Sequence, residues 1–239
     1  METAKKVALI TGANKGLGLE IARQLAQQGI VVVLSARQGK AEAPARALRA
    51  QGLDAHAVEL DVTNATDIAA LPSFFQSTFG RLDILVNNAG VQLDTGPGFG
   101  TSPDVLRQTY EANVIGPYTI IQGLLPLLRQ APAGRIVNQS SILGSLATIG
   151  AGQGGDWATP GYTSSKAALN MLTVVLAQHL GKTNLKVNAA HPGWVKTDLG
   201  GPNALLEVSE GARTAVRLAL LPADGPTGLF FHNEETLPW

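Results

Sequence analysis

VALITGANKGLGLEIA, residues 7–22, predicts a strand, a glycine-rich turn and a helix in immediate succession. The strand is the apolar run Val7–Ile10, and apolar residues with helical spacing follow the turn. Gly12, Gly16 and Gly18 give the turn the spacing G-x-x-x-G-x-G. Glycine lets a backbone approach a phosphate closely, and the free N–H groups at the start of a helix favour an anion. We therefore interpret the turn as a phosphate-binding site, although a tight turn without a ligand stays open at this point.

Strand-like and helix-like segments continue to alternate beyond this stretch. Most of the predicted strands are continuous apolar runs, which is typical of strands covered by helices on both faces. They are Val7–Ile10, Ile30–Ser35, Ala55–Leu60, Leu82–Val86, Arg135–Asn138, Lys186–Ala189 and Gly228–Phe231. The predicted helices are Gly16–Gln28, Ala41–Gln51, Ala65–Phe79, Pro103–Arg129, Pro160–Leu180 and Ala204–Leu221. This order predicts an α/β fold, a doubly wound parallel sheet of the Rossmann type with helices on both faces.

We expect residues 1–239 to form a single domain that both binds a dinucleotide and carries the catalytic groups. Three loop-like stretches, Leu93–Thr101, Ala147–Thr159 and Gly193–Asn203, follow predicted strands directly or after a short apolar segment. Because they follow strands, they are expected at the carboxyl edge of the sheet, where folds of this type bind ligands.

Composition excludes several classes of protein. Lys+Arg and Asp+Glu are both 18, which argues against a nucleic-acid surface or a polybasic membrane anchor. The absence of cysteine excludes disulfides, thiol nucleophiles and Cys-ligated zinc, and the four scattered histidines lack metal-like spacing. The first apolar run ends at Thr11-Gly12, too soon for a signal peptide, and no apolar stretch approaches a membrane span. We expect a cytoplasmic protein without metal, membrane or nucleic-acid partners.

The end of the second predicted strand, VVVLSARQGK (residues 31–40), bears on the choice of cofactor. Dinucleotide folds that prefer NAD place an acid there, where it bonds the ribose 2′-hydroxyl. No acid occurs from Ser35 to Lys40, whereas Arg37 lies in this stretch and Lys15 lies in the glycine turn. Two cations and no acid predict a 2′-phosphate, and hence NADPH/NADP+. The alternative is that both cations are simply solvated.

YTSSK, residues 162–166, places a phenol and an ammonium one helical turn apart. Thr159 and Pro160 just before it are typical of an N-cap and a first helical residue. A phenol pKa of about 10 must fall by about three units, roughly 4 kcal/mol, for the group to act near neutrality. A unit charge about 4 Å away supplies roughly that energy at an effective dielectric of about 20. We therefore interpret Tyr162 as an acid/base whose pKa is lowered by the charge of Lys166, with help from a cationic oxidised nicotinamide. The alternative is that the two residues merely share one face of a helix.

Asn113 and Pro117 predict an interruption in the fourth long helix. Asparagine is a poor helix former, and proline lacks an N–H and clashes with the carbonyl four residues before it. That carbonyl belongs to Asn113, so the pair predicts a kink with a free carbonyl. A kink with packing value alone is the alternative.

Ordered motifs along nearly the whole chain resemble those of the short-chain dehydrogenase/reductase family. Each motif alone is weak, whereas the ordered set is highly specific. They are TGANKGLG (11–18), LDV (60–62), NNAG (87–90), Asn113 within YEANVIG (110–116), IVNQSS (136–141), Tyr162 with Lys166, and HPGWVKT (191–197). HPGWVKTDLGG (191–201) and the tail DGPTGLFF (224–231) are most similar to the carbonyl-reductase-like branch.

The resemblance implies roles for individual residues. Tyr162 would give the proton, Lys166 would tune it and hold the cofactor ribose, and Ser141 would bind the substrate oxygen. Ser140 competes with Ser141, but the family motif places the functional serine second. The backbone carbonyl of Asn113 would hold a water, and this water would link Lys166 to solvent in a proton relay. The implied cofactor-binding residues are Gly12, Asn14, Lys15, Gly16, Leu17, Gly18, Arg37, Asp61, Val62, Asn88, Ala89, Gly90, Tyr162, Lys166, Pro192, Gly193, Val195 and Thr197.

The activity implied by the resemblance is reversible, NADPH-dependent reduction of a ketone or aldehyde to an alcohol. The partner would be a small-molecule carbonyl or alcohol substrate, and a homo-oligomer is left open. One alternative is a catalytically silent NADP(H)-binding regulatory protein. Another is an epimerase or dehydratase, but only about forty residues follow Thr197, fewer than a separate substrate domain needs.

The chain departs from the family pattern between Ser141 and Tyr162, which lie 21 positions apart, a longer separation than most members show. We place the extra residues in Gly150–Ala158 and expect them to border the substrate, with Trp157 as one wall. An apolar substrate pocket is suggested by Leu93, Phe99, Leu143, Trp157, Trp194 and Leu199, with an ordinary place in the hydrophobic core as the alternative for each.

Overall fold

One eight-stranded sheet runs through the protein in the computed structural model, which describes residues 5–94 and 100–239. The strands are β1 (Val7–Ile10), β2 (Val31–Ala36), β3 (Ala55–Glu59), β4 (Ile84–Asn87), β5 (Arg135–Gln139), β6 (Lys186–Ala190), β7 (Phe230–His232) and β8 (Glu235–Thr236). Their order is β3-β2-β1-β4-β5-β6-β7-β8, and all neighbours are parallel except the antiparallel pair β7–β8. The predicted doubly wound parallel sheet is confirmed, and β8, two exposed residues without an apolar run, is an addition that the sequence pattern did not predict.

Helices cover both faces of the sheet. They are α1 (Gly16–Gln27), α2 (Glu42–Arg49), α3 (Ala65–Thr78), α4 (Pro103–Tyr110), α5 (Gly116–Gln130), α6 (Leu146–Gly150), α7 (Pro160–Leu180), α8 (Val208–Gly211) and α9 (Arg213–Ala219). Alternate strand residues point to opposite faces, so Ala8 and Ile10 pack with α1, α2 and α9. Val7 and Leu9 pack with α3, α5 and α7. The two apolar layers cover the faces of the sheet and leave its carboxyl edge free for a site.

Two of the predicted helices are divided in the structure. The segment Pro103–Arg129 contains α4, a π-helical turn at Glu111–Ile115, and α5. Pro117 cannot donate the α-helical hydrogen bond to the carbonyl of Asn113, which is the physical reason for an interruption here. The predicted interruption is therefore observed, in the form of a π-helical turn. The segment Ala204–Leu221 is helical only in the short helices α8 and α9.

Within the two described ranges, every helix is too short or too polar to cross a membrane.

Candidate active site

A cleft of about 790 Å³ opens at the carboxyl edge of the sheet, where β1, β4, β5 and β6 end. It is lined by every predicted site residue except Asn113, which lies beneath its surface. These lining residues are Gly12, Asn14, Lys15, Gly16, Leu17, Gly18, Arg37, Asp61, Val62, Asn88, Ala89, Gly90, Ser141, Tyr162, Lys166, Pro192, Gly193, Val195 and Thr197. Residues scattered over most of the chain therefore meet in one place, because parallel strands end at a common edge.

The glycine turn after β1 is locked to the segment that follows β4. The Thr11 hydroxyl accepts hydrogen bonds from the backbone N–H groups of Asn88 (3.0 Å) and Ala89 (2.9 Å). Gly12 has a φ of +64°, and a Cβ there would lie 3.0 Å from the Ala89 Cα. Only glycine fits this position without strain. The turn is therefore held close to the sheet rather than projecting into solvent.

The N-terminus of α1 suits an anionic group. Lys15, in the N-cap position, makes no side-chain capping bond, and the first turn of the helix has no acidic residue. The first N–H groups of a helix have no partner within the helix and carry a partial positive charge. Since Gly16, Leu17 and Gly18 line the cleft at this point, the residues fit the pyrophosphate of a dinucleotide.

Arg37 and Lys15 lie at the cleft but differ in their surroundings. The Lys15 ammonium forms an exposed ion pair with Asp198 from the segment after β6. Arg37 acts electrostatically on Asp61: partial burial raises the pKa of that carboxyl, but hydrogen bonds from Thr63 and the charge of Arg37 hold it below its usual value. Of the two cations expected to face a 2′-phosphate, Arg37 thus has the fewer competing contacts in the described part of the chain.

Tyr162, Ser141 and Lys166 come together in the cleft. The phenol and ammonium groups are buried, and Lys166 Nζ lies 5.6 Å from the centroid of the Tyr162 ring. Lys166 Nζ donates a hydrogen bond of 2.8 Å to the Gln139 carbonyl oxygen at the end of β5. Burial lowers the pKa of the Lys166 ammonium to about 8. Near neutrality the group therefore still carries its positive charge most of the time.

The expected fall of the Tyr162 pKa is not present in the chain alone. Burial raises the pKa of this phenol to about 12, and a hydrogen bond with the Ser141 hydroxyl offsets only part of the rise. The Lys166 ammonium is directed at the Gln139 carbonyl rather than at the phenol oxygen. Desolvation of the phenolate therefore outweighs its expected attraction to the Lys166 ammonium. The expected fall in pKa also relied on the positive charge of an oxidised nicotinamide. A protonated phenol is the form that can donate a proton to a substrate.

Ser140 and Ser141 have different environments. The Ser140 hydroxyl donates a 2.6 Å hydrogen bond to Asn170 Oδ1, and the Asn170 amide donates to the Gly144 carbonyl. Ser140 is thereby tied to α7. The Ser141 hydroxyl accepts from the Leu143 N–H and contacts the Tyr162 phenol. Ser141 is thus the serine whose hydroxyl lies beside the phenol.

Asn113 anchors the π-helical turn under the cleft. Its side-chain amide donates to the Val91 carbonyl (2.8 Å) and to Ser165 Oγ (3.0 Å), and its Oδ1 accepts from the Val91 N–H (2.8 Å). Ser165 in turn donates to the Tyr162 carbonyl. A side chain at Gly90 would meet Asn113 Oδ1 at 3.2 Å and Lys166 Nζ at 3.4 Å. Ser165 therefore links the Asn113 side chain to the backbone of Tyr162.

Asp94 is a site residue that the sequence did not reveal. Thr159 occupies the N-cap position of α7 as predicted, but its side chain makes no capping bond, and its hydroxyl is buried without a partner among the described residues. The Asp94 carboxylate, from the segment after β4, takes that role. A single aspartate in a loop offers no sequence signal for a contact 67 residues away.

His191 also escaped the sequence analysis as a site residue. It lines the cleft, and its Nδ1 accepts a hydrogen bond from the Ile142 N–H at 3.2 Å. Burial, together with the neighbouring His232, lowers the pKa of His191 to about 4. The ring is therefore neutral at physiological pH, with its proton on Nε2.

Four of the six residues predicted to form an apolar pocket line the cleft: Leu143, Trp157, Trp194 and Leu199. The Trp157 and Trp194 rings lie 5.9 Å apart between centroids. Leu93 is a partly exposed residue outside the lining, and Phe99 lies outside the described residues. Gln153 and Gly154 from the expected insert line the cleft together with Trp157.

The sequence profile of the short chain dehydrogenases matches residues 6–204. Carbonyl reductase [NADPH] 1 of Oryctolagus cuniculus is 34% identical to the chain over 283 residues, covering 100% of both proteins. Short-chain dehydrogenase/reductase 1 of Saponaria officinalis is 36% identical over 293 residues, covering 98% of this chain and 96% of that protein. The crystal structure of NADPH-bound carbonyl reductase from chicken fatty liver superimposes with a TM-score of 0.85 at 28% identity, over 98% of this chain and 99% of that one.

Proposed function

Because the chain belongs to the short-chain dehydrogenase/reductase family, in its carbonyl-reductase-like branch, we propose that it reduces a ketone or aldehyde with NADPH. The observation that carries the proposal is that one cleft is lined both by residues suited to bind a dinucleotide and by residues suited to transfer a proton. The glycine turn suited to a pyrophosphate and the buried Tyr162, Ser141 and Lys166 line the same cleft. Such a cleft can hold a dinucleotide and a small carbonyl compound together. The reverse reaction, oxidation of an alcohol, uses the same groups.

In the proposed reaction, the Ser141 hydroxyl donates a hydrogen bond to the substrate carbonyl oxygen and polarises it. The Tyr162 phenol, kept protonated by burial, then gives its proton to that oxygen as negative charge develops there. A dinucleotide held by the glycine turn would supply the hydride for the carbonyl carbon. The Lys166 ammonium stabilises the phenolate left behind and, from its position on the Gln139 carbonyl, can bind a ribose hydroxyl.

NADPH is favoured over NADH by the groups at the adenosine end of the cleft. Arg37 follows β2 directly, where an NAD-binding chain would carry an acid. The curated relatives named carbonyl reductase [NADPH] 1 and the NADPH-bound structure from chicken fatty liver support the same choice. Lys15 contributes less, since Asp198 competes for its charge.

The proposal is tested by measuring NADPH oxidation with a panel of aldehydes and of aliphatic and aromatic ketones. We expect turnover with several apolar carbonyl compounds, and a lower KM for NADPH than for NADH. Calorimetric titration with NADPH in the absence of substrate separates the alternatives. Tight NADPH binding without turnover of any panel member would favour the silent NADP(H)-binding regulator instead.

Replacing Pro117 with alanine should lower kcat while leaving the Tm unchanged or higher. The new N–H can bond the Asn113 carbonyl and close the helical ladder, which would displace a water held there for proton relay. A larger solvent isotope effect on kcat should accompany the loss, because proton transfer becomes more rate-limiting.

Pro126→Ala is the matched control for this change, since Pro126 is an exposed proline within the same helix. It should gain stability, because a proline in a helix interior costs about 3 kcal/mol, and it should keep the wild-type kcat. If Pro117→Ala also keeps the wild-type kcat, the proline serves packing only.

A further inference from the structure

The start of the catalytic helix α7 is closed by a residue that is distant in sequence. Asp94 is buried, with 5% of its surface exposed. Its Oδ2 accepts a 2.6 Å hydrogen bond from the Gly161 N–H, and both oxygens accept from the Tyr162 N–H, at 3.2 Å and 3.3 Å. The Thr101 hydroxyl donates to Oδ2 at 3.3 Å. These donors compensate the cost of burying a carboxylate.

The Asp94 carboxylate accepts a hydrogen bond from each backbone N–H group in the first turn of α7 that has no partner within the helix. Pro160 has no N–H, and the Thr163 N–H bonds the Thr159 carbonyl at 3.0 Å. That leaves the N–H groups of Gly161 and Tyr162, and both go to Asp94. An N-cap side chain normally accepts from these two positions. Here the hydroxyl of Thr159 makes no capping bond and has no partner within residues 5–94 and 100–239, and the negatively charged Asp94 carboxylate takes its place at the positive end of the helix.

The close approach of the carboxylate depends on Gly161. A Cβ at this position would lie 2.8 Å from Asp94 Oδ2, a distance that only a shift of the carboxylate or the helix could relieve. The glycine next to the catalytic tyrosine is thus the residue that admits the buried acid. This geometry ties the backbone of Tyr162 to the segment after β4 rather than to its own N-cap.

We propose that Asp94 is a positioning residue that holds the Tyr162 backbone, and hence the phenol, at the correct depth in the cleft. The inference rests on the proposed function of Tyr162 as proton donor. A helix that frays by one residue at its first turn would move the phenol relative to Ser141. Misplacement of a reacting group by about 1 Å can lower a rate by about a hundredfold.

The test compares Asp94→Ala and Asp94→Asn with a matched control, Asn64→Ala. Asn64 caps α3 in the same way, accepting from the N–H groups of Thr66 (2.8 Å) and Asp67 (3.3 Å), but α3 carries no predicted site residue. All variants are assayed at saturating NADPH and at a temperature where each is folded. Asp94→Ala should lose about tenfold or more in kcat, with the Kd for NADPH unchanged. Asn64→Ala should lose Tm but keep its kcat.

Asp94→Asn should give an intermediate kcat, because one oxygen remains as an acceptor while the amide group faces the second N–H. If Asp94→Ala does not fold, the kcat of Asp94→Asn tests the proposal instead. A wild-type kcat in either folded Asp94 variant overturns the proposal and leaves the carboxylate as a structural cap only.

Amide hydrogen exchange, followed by NMR without any substrate, separates this inference from the proposed function. The Gly161 and Tyr162 amides should exchange faster in Asp94→Ala than in wild type, and in Asn64→Ala they should not. Unchanged exchange overturns the positioning role even if the wild-type protein reduces no carbonyl compound. Faster exchange with full ketone reduction by the variant also overturns it, while the function of Tyr162 stands.

Discussion

Tyr162→Phe should reduce kcat for carbonyl reduction by about 10²–10⁴-fold while leaving NADPH binding nearly intact. The change removes one oxygen from a buried ring that is 7% exposed, so packing against the cleft is retained. What would be lost is the proton that, in the proposed reaction, the phenol gives to the substrate oxygen. Because Tyr162 is protonated at neutral pH, no other change in the charge of the site accompanies the substitution.

The measurement is steady-state reduction of an accepted ketone, together with calorimetric titration of NADPH. Tyr118→Phe is the control, since Tyr118 lies on α5 with 43% of its surface exposed and outside the cleft lining. The control should show wild-type rates. A loss of less than about tenfold in Tyr162→Phe would contradict the role of proton donor.

Arg37→Asp should weaken NADPH binding by about 10- to 100-fold and leave NADH binding much less affected. A hydrogen bond to a charged group contributes about 1.5–3 kcal/mol, and each 1.4 kcal/mol changes affinity about tenfold. The new carboxylate would also repel the 2′-phosphate and could bond a 2′-hydroxyl, as the acid of NAD-binding chains does. The preference for NADPH should therefore flatten or reverse.

Both cofactors are titrated against wild type, Arg37→Asp and the control Arg46→Asp. Arg46 is an exposed residue of α2 outside the cleft, so its replacement changes the net charge equally without touching the site. Equal loss of NADPH affinity in both variants would show a general charge effect. Equal affinities of the wild-type protein for NADPH and NADH would remove the basis for assigning Arg37 to the 2′-phosphate.

Local pattern was sufficient for seven of the eight strands, whereas the family resemblance supplied most of the predicted residues that line the cleft. The run Val7–Ile10, the glycine turn and α1 follow from apolar periodicity and from the backbone freedom of glycine, which depend only on neighbouring residues. Once the strands are parallel, their carboxyl ends share an edge, and residues as far apart as Gly12 and Thr197 must meet there. The interruption near Asn113 was predictable for a similar reason, because the missing N–H of Pro117 is a covalent fact.

The electrostatics of the site depended on tertiary structure. A sequence places Tyr162 and Lys166 one turn apart, but only packing determines that both are buried and that the ammonium faces the Gln139 carbonyl. Burial then reverses the direction of the expected pKa shift of the phenol. The ion pair between Lys15 and Asp198 likewise joins residues 183 positions apart, so no local pattern announces it.

By itself, the sequence determined the alternation of strands and helices in the parallel part of the sheet, the glycine-rich turn after β1 and the chemical types of the residues at the carboxyl edge. Each of these depends on neighbouring residues or on covalent structure. Tertiary structure alone decided which group closes α7. The local rule pointed to Thr159, whereas the buried carboxylate of Asp94 accepts both free N–H groups. A charged acceptor brought in by the fold binds the positive end of a helix more strongly than a neutral hydroxyl does, and the fold can bring it from any distance along the chain.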